Sequence, residues 1–228
     1  QYDSLMCQQM LELKEDCQVM YLKNHPDEPI VNGSIGTVIC FMTEFLWKEV
    51  LNDYRGISLL DASPSIVQEL KLLANCIGTT PTDAEILNVI EQVHISRKSV
   101  FKRLLMIALR ETLASICPIV NFKTTDGSFK IIRITQEEFY IDGPVFNGSE
   151  KVDRLTRTQI PLILSWAMSI HKAQGQSIER LRVNLRRTFE KGQVYVALSR
   201  ATNKDSLEIF NFDPKKIATS DEVKNFYN

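Results

Sequence analysis

Ser169-Ile-His-Lys-Ala-Gln-Gly175 sets a hydroxyl, an imidazole, an ammonium and an amide close together and closes on a glycine. A glycine lets the backbone approach a phosphate or ribose that a Cβ would hold off. Eighteen residues beyond Gly175 begins Gln193-Val-Tyr-Val-Ala-Leu-Ser-Arg-Ala201, an apolar run that ends on Ser199 and Arg200. An arginine so placed can offer a fixed, always-charged fork to a γ-phosphate. Around these blocks, strands alternate with helices. Gln159–Leu162, Leu181–Leu185 and Leu207–Phe210 read as strands, while Ser165–Lys172, a start at Gln193–Arg200 and Asp221–Tyr227 read as helices. That alternation predicts a parallel α/β sheet, with ligand-bearing loops at the carboxyl ends of its strands.

Upstream the pattern differs. Cys17–Lys23 and Gly36–Met42 are β-branched runs of strand length on either side of Asn32-Gly33. Ile119–Lys123 and Ser128–Thr135 flank Asp126-Gly127, a strong hairpin signal, and Phe139–Ile141 can add a strand. These strands predict a small barrel. Between them, residues 44–117 carry helical punctuation: Thr43 as a cap for a helix ending near Gly56, then Ser63-Pro64 ahead of a stripe of Ile66, Leu70, Leu73 and Ile77. Thr82 and Glu85 have capping-box spacing, and Arg97–Ile116 reads as a fourth helix running to Pro118. The block is expected to be a packed helical insertion, with a partner-docking surface as the other reading.

Charge is divided unevenly. Residues 1–150 hold 13 Lys and Arg against 20 Asp and Glu, whereas residues 151–200 hold 10 against 3. The net charge of −1 thus conceals a basic segment suited to a polyanion, or a solvated face. The cysteines at 7, 17, 40, 76 and 117 form no C-x-x-C pair and are odd in number, against a disulfide framework or zinc knuckle. A reducing compartment is the simplest reading. The longest apolar run, Ile160–Ile170, is broken by Pro161, Ser165 and Ser169 and is too short for a membrane span. His171 lies far in sequence from His25 and His94, so no metal site is expected. A chain opening on Gln1 is expected to be a segment of a longer one.

The chain resembles the PIF (petite integration frequency) family of superfamily-one 5'-to-3' DNA helicases. The resemblance rests on Leu13-Lys-Glu-Asp-Cys-Gln-Val-Met-Tyr-Leu-Lys-Asn24, Val31-Asn-Gly-Ser-Ile-Gly36, Gln159-Ile-Pro-Leu162, Trp166-Ala-Met-Ser-Ile-His-Lys-Ala-Gln-Gly-Gln176 and Leu185-Arg-Arg-Thr-Phe-Glu-Lys-Gly-Gln-Val-Tyr-Val-Ala-Leu-Ser-Arg200. Lys14-Glu-Asp-Cys17 and Ala173 resemble the budding-yeast branch that helps replication forks past protein barriers. The helical block departs from the family pattern. The resemblance implies an α/β fold: the carboxy-terminal part of a RecA-like motor domain, residues 156–228, plus an inserted Src-homology-3-like β-barrel in residues 1–155 that carries the helical insertion at about 44–117.

The resemblance also implies roles. Arg200 would be the catalytic arginine finger, with Gly175 and Gln176 beside the nucleotide. Ser169, His171, Lys172, Arg186, Arg187, Lys191, Gln193 and Tyr195 would contact DNA, by phosphate binding or base stacking. Trp166 could stack a base but reads better as core beside Leu162 and Ile163. The sequence contains no G-x-x-x-x-G-K-[ST] loop, so ATP and Mg2+ would be held mainly by an upstream RecA-like domain, and the chain alone is expected to be inactive. Expected partners are single-stranded and forked DNA, the upstream motor domain and replisome proteins, with no membrane. Genome maintenance, telomere upkeep and nuclear residence follow, with the mitochondrion as the alternative location. The rival readings are a non-catalytic nucleic-acid-binding module and an interaction scaffold derived from a helicase.

Overall fold

The computed structural model describes residues 5–54, 63–124, 126–147, 150–220 and 225–226. The chain forms two compact units, Gln1–Trp166 and Ala167–Asn228.

The first unit is built on a five-stranded antiparallel sheet. Its strands are β1 (Gln18–Tyr21), β2 (Ile35–Met42), β3 (Cys117–Lys123), β4 (Phe129–Arg133) and β7 (Leu162–Leu164), in the order β4-β3-β2-β1-β7. Both faces are apolar. On one lie Val19, Tyr21, Val38, Val120, Phe122 and Ile132, packed with Ile30. On the other, Ile39, Cys40, Met42, Ile119 and Ile131 meet the helices. A bulge between Val38 and Cys40 makes this possible: the extra residue shifts the alternation, so Val38 serves one core while Cys40 and Met42 serve the other. Gly36 is required on this strand, because a Cβ there would stand 2.7 Å from the side chains of Phe122 and Val120.

The helical block follows its punctuation closely. α1 (Glu44–Asp53) begins where the Thr43 side chain accepts from the Leu46 amide. α2 (Pro64–Asn75) opens on proline and buries Ile66, Leu70 and Leu73. α3 (Asp83–Glu91) carries a complete capping box between Thr82 and Glu85. α4 (Lys98–Ala108) buries Phe101, Leu104, Leu105 and Ala108. It is shorter than the expected Arg97–Ile116, because beyond Ala108 the backbone turns to let the Glu111 carbonyl accept the Gly78 amide, and the chain must then reach β3. The expected end of the first helix at Gly56 lies outside the described residues. Among the described residues of the block, one charged group is sealed inside. Glu69, 2% exposed, accepts from Arg97 Nε and Nη2 at 2.9 and 2.7 Å and from the Tyr54 hydroxyl at 2.8 Å. The three groups tie the C-terminus of α1, the middle of α2 and the start of α4 together.

β5 (Glu137–Asn147) and β6 (Glu150–Gln159) form a separate antiparallel pair, of which sequence reading found only the Phe139–Ile141 part. Its root is fixed to β1: Tyr21 donates to Glu137 at 2.8 Å, and Lys23 Nζ donates to the Glu138 carbonyl at 2.7 Å while lying over the Phe139 ring. The expected strand Gln159–Leu162 is instead divided at Pro161, with Gln159 ending β6 and Leu162 starting β7. The expected helix Ser165–Lys172 does not form. The Ser165 amide continues the β7 ladder by donating to the Gln18 carbonyl, and residues 170–175 are turns. Trp166 is 73% exposed and is not core.

In the second unit, β8 (Leu181–Asn184) and β9 (Leu207–Phe210) pair in parallel, as the α/β reading requires, with α5 (Gln193–Leu198) between them in sequence. Val183, Leu185, Val194 and Ala197 form its core. Most of the expected closing helix Asp221–Tyr227 lies outside the described residues.

Candidate nucleotide and nucleic-acid interface

The 169–175 segment is a series of tight turns. The Ala173 amide donates to the Ser169 carbonyl (3.1 Å) and the Gln174 amide to the His171 carbonyl (3.2 Å), while the Ser169 hydroxyl accepts from the Lys172 amide (3.4 Å). Ala173 is buried, and Ser169, His171 and Lys172 are exposed around it. Gly175 has φ +81° with open space where a Cβ would stand, so backbone conformation rather than crowding selects glycine here.

α5 starts at Gly192, also at φ +81°, whose amide donates to the Ala218 carbonyl at 2.7 Å. Val194 and Ala197 face inward, which leaves Tyr195, 74% exposed, and Ser199 on the outer side. The helix delivers Arg200 to the end of the 169–175 turns. Arg200 is half-buried, and its Nε donates to the Val196 carbonyl (3.0 Å), Nη1 to the Gln176 carbonyl (3.3 Å) and Nη2 to Ser199 Oγ (2.9 Å). The backbone repeats the link, since the Ile178 amide donates to the Arg200 carbonyl at 2.8 Å and the Thr202 amide returns to the Ile178 carbonyl. Gly175, Gln176, Ser199 and Arg200 therefore share one place. Among the described residues, the contacts of Arg200 use its Nε–H and one N–H of each terminal nitrogen. One N–H on each terminal nitrogen is left to donate.

The proposed DNA-contacting residues form a second group. His171 Nε2 lies 3.1 Å from Glu190 Oε2, joining the turns to the loop between β8 and α5. Arg186, Arg187 and Lys191 are exposed on that loop. The Gln193 side-chain oxygen accepts from the Phe189 amide (2.9 Å) and the Glu190 amide (3.4 Å), so it orders the loop from within. Lys216, absent from the sequence-based set, does the same from outside, donating to the Leu185 and Arg186 carbonyls at 3.0 and 2.6 Å. The nearest signal was Asp213-Pro214, which starts the helical turn carrying Lys216. The basic excess is partly spent on local pairs: Arg182 meets Glu208 at 2.7 Å, and Arg154 meets Asp142 at 2.8 Å. Among the described residues, no three His, Cys, Asp or Glu side chains gather in a way that could hold a metal ion, and no helix is long and apolar enough to cross a membrane.

No protein-family model matches the chain. It is 41% identical over 227 residues to the ATP-dependent DNA helicase RRM3 of Saccharomyces cerevisiae, covering 98% of this chain and 30% of that protein. It is 35% identical over 225 residues to the ATP-dependent DNA helicase PIF1 of Emericella nidulans, covering 97% of this chain and 26% of that protein. The crystal structure of Pif1 helicase from Candida albicans superposes with a TM-score of 0.60 at 27% identity, over 99% of this chain and 38% of that one. A Bacteroides Pif1 in complex with ADP-AlF3 and single-stranded DNA shares the fold, with a TM-score of 0.51 at 18% identity, over 100% of this chain and 36% of that one. The chain thus spans about 30% of the length of the first of these relatives. With identity at this level running through 98% of its residues, the motif-bearing turns and α5 included, the chain belongs to the PIF1 family of DNA helicases.

Proposed function

We propose that the chain is a segment of an ATP-dependent 5'-to-3' DNA helicase, supplying the arginine finger and part of the single-stranded DNA track. The observation that carries this reading is the position of Arg200, half-buried and bound to the Gln176 carbonyl beside Gly175. Carbonyl and hydroxyl acceptors fix the plane of the guanidinium, and each terminal nitrogen keeps one donor for a γ-phosphate. Gly175 and Gln176 would then lie along the nucleotide. Supplying charge that balances the transition state is the finger's contribution to phosphoryl transfer. The sequence has no phosphate loop, so ATP and Mg2+ would be held mainly by another RecA-like domain of the same protein.

Ser169, His171, Lys172, Arg186, Arg187, Lys191 and Tyr195 would bind single-stranded or forked DNA through phosphate contacts and stacking, with Gln193 acting on DNA through the loop that it orders. The domain assignment places the Src-homology-3-like barrel and its helical insertion in residues 1–155 and the motor part in 156–228. It is supported by the hairpin strands of the first unit and the parallel pair of the second. Work at replication forks, alongside replisome proteins and in the nucleus, is what the family resemblance of the motifs implies for the whole protein.

The test is a pair of variants in the full-length protein. Arg200→Ala lowers ATP turnover by roughly 10³-fold or more while single-strand affinity changes little. Lys172→Ala weakens DNA binding and keeps basal turnover. Equal losses of DNA binding in both, with basal turnover intact in Arg200→Ala, would make Arg200 a track residue and end the finger assignment.

A further inference from the structure

The loop between β8 and α5 carries an apolar ring that folding does not use. Phe189 is 80% exposed and belongs to no apolar cluster among the described residues. Its backbone is nevertheless fixed on both sides. Ahead of it, residues 185–188 form a turn in which the Thr188 amide and hydroxyl both donate to the Leu185 carbonyl, at 3.3 and 2.8 Å. Behind it, the Gln193 amide donates to the Glu190 carbonyl at 3.2 Å, and the Gln193 side chain accepts from the Phe189 amide itself. A ring presented on so fixed a backbone loses little further freedom when a flat partner meets it. Lone exposed apolar side chains are common and by themselves mean nothing. Here the neighbours decide. Arg186 and Arg187 stand at the two corners of the turn and are exposed, as is Lys191 on the other side of the ring in sequence. Glu190, the acid of this loop, is directed at His171 Nε2, 3.1 Å away. A loop that sets cations around a flat apolar face suits a ligand that alternates anions with flat rings, which is a nucleic-acid strand. In a duplex those rings lie stacked on one another, so the fit is to a single strand.

Resting on the reading of this loop as part of the DNA track, we propose that Phe189 stacks against a base of single-stranded DNA while Arg186 and Arg187 take neighbouring phosphates. The phenyl ring has no hydrogen-bonding group, so it holds any base by its face and reads no sequence. It also carries no charge. Its share of the affinity is therefore insensitive to salt, unlike that of the cations around it.

The probes are two fluorescein-labelled oligothymidylates of equal length, one intact and one abasic throughout, titrated into the full-length protein without nucleotide and followed by anisotropy. Phe189→Ala weakens binding of the intact strand by about fivefold to a hundredfold, the range that loss of one stacked base gives. The slope of log affinity against log salt stays as in the wild type, and affinity for the abasic strand is unchanged. Phe189→Trp keeps the affinity for the intact strand, whereas Phe189→Leu, apolar but not flat, does not. Equal weakening on the two strands, or affinity restored by leucine, would mean that the ring packs against protein and would overturn the proposal. Loss of affinity from Arg187→Ala with none from Phe189→Ala would remove the stacking and leave the track standing. No loss from either variant, in a protein that binds the intact strand, would take this loop off the track and the stacking with it.

Discussion

In the Gln1–Trp166 unit, the sheet carries apolar cores on both faces, and four helices close one of them with fully buried side chains such as Phe101, Leu70 and Leu104. In the Ala167–Asn228 unit, the core described is the small cluster of Val183, Leu185, Val194 and Ala197, and loops are held instead by single polar groups: Arg200, Gln193 and Lys216, each bonded to backbone. Hydrophobic burial is nondirectional and tolerant, so a unit built on it is stable whatever its surface carries. Hydrogen bonds to backbone are directional and individually modest. A unit built on them positions specific atoms at the expense of stability, and it is there that the ligand-directed residues lie.

The largest effect that could break this contrast is on stability. Phe101→Ala removes a wholly buried ring from the helical core and is expected to cost about 3–5 kcal/mol, whereas Leu185→Ala in the small core is expected near the lower limit of about 2 kcal/mol. Urea-dependent hydrogen exchange, read separately on α4 and α5 amides in the full-length protein, measures both. A larger loss from Leu185→Ala would invert the contrast. Smaller and more specific is the result for the second unit's loop. Arg187→Ala should lower the slope of log affinity against log salt by about 1 if it neutralises a phosphate. Gln193→Ala should weaken DNA binding with the slope unchanged, because it removes order and not charge. A slope change from Gln193→Ala would mean instead that the loop's cations leave their phosphates when the loop loses order, since an uncharged amide adds nothing to the slope. The smallest effect is at the capping box, where Thr82→Ala should destabilise α3 by about 1 kcal/mol, visible in the exchange of its first-turn amides.

The same contrast governed what could be read in advance. Caps and stripes are local, so Thr43, Ser63-Pro64 and Thr82 with Glu85 located three helix starts, and Asp126-Gly127 located the turn between β3 and β4. The β5–β6 pair was mostly missed because its strands are rich in charged and polar residues, and what supports them is remote: Tyr21 and Lys23 at the root, and Arg154 against Tyr140 and Asp142 across the ladder. Ser165–Lys172 misled because its apolar residues suggest a helix, while β1 takes up the Ser165 amide and leaves Trp166 in solvent. The site residues were legible as types within motifs. The Arg200 link to the Gln176 carbonyl, and the part of Gln193 as a support, depend on acceptors that only the folded backbone supplies.

The bulge between Val38 and Cys40 makes chain length at that point as constrained as composition. A strand on the rim of a sheet can gain or lose a residue by sliding into solvent, but β2 is bordered by β1 and β3 and has no such slack. If each residue of β2 took its own place in the ladder, with no bulge at Ile39, Cys40 and Met42 would fall in phase with Val38, on the face away from the helices, whereas deleting Ile39 would keep the present pairs, because Cys40 already faces Ile119. Ile39, 3% exposed and packed into the helical core, is constrained in size as well, and a length change at Phe41, between Cys40 and Met42, would turn Met42 away from that core. Loops between the elements, not the strand itself, are where length differences among relatives can be absorbed.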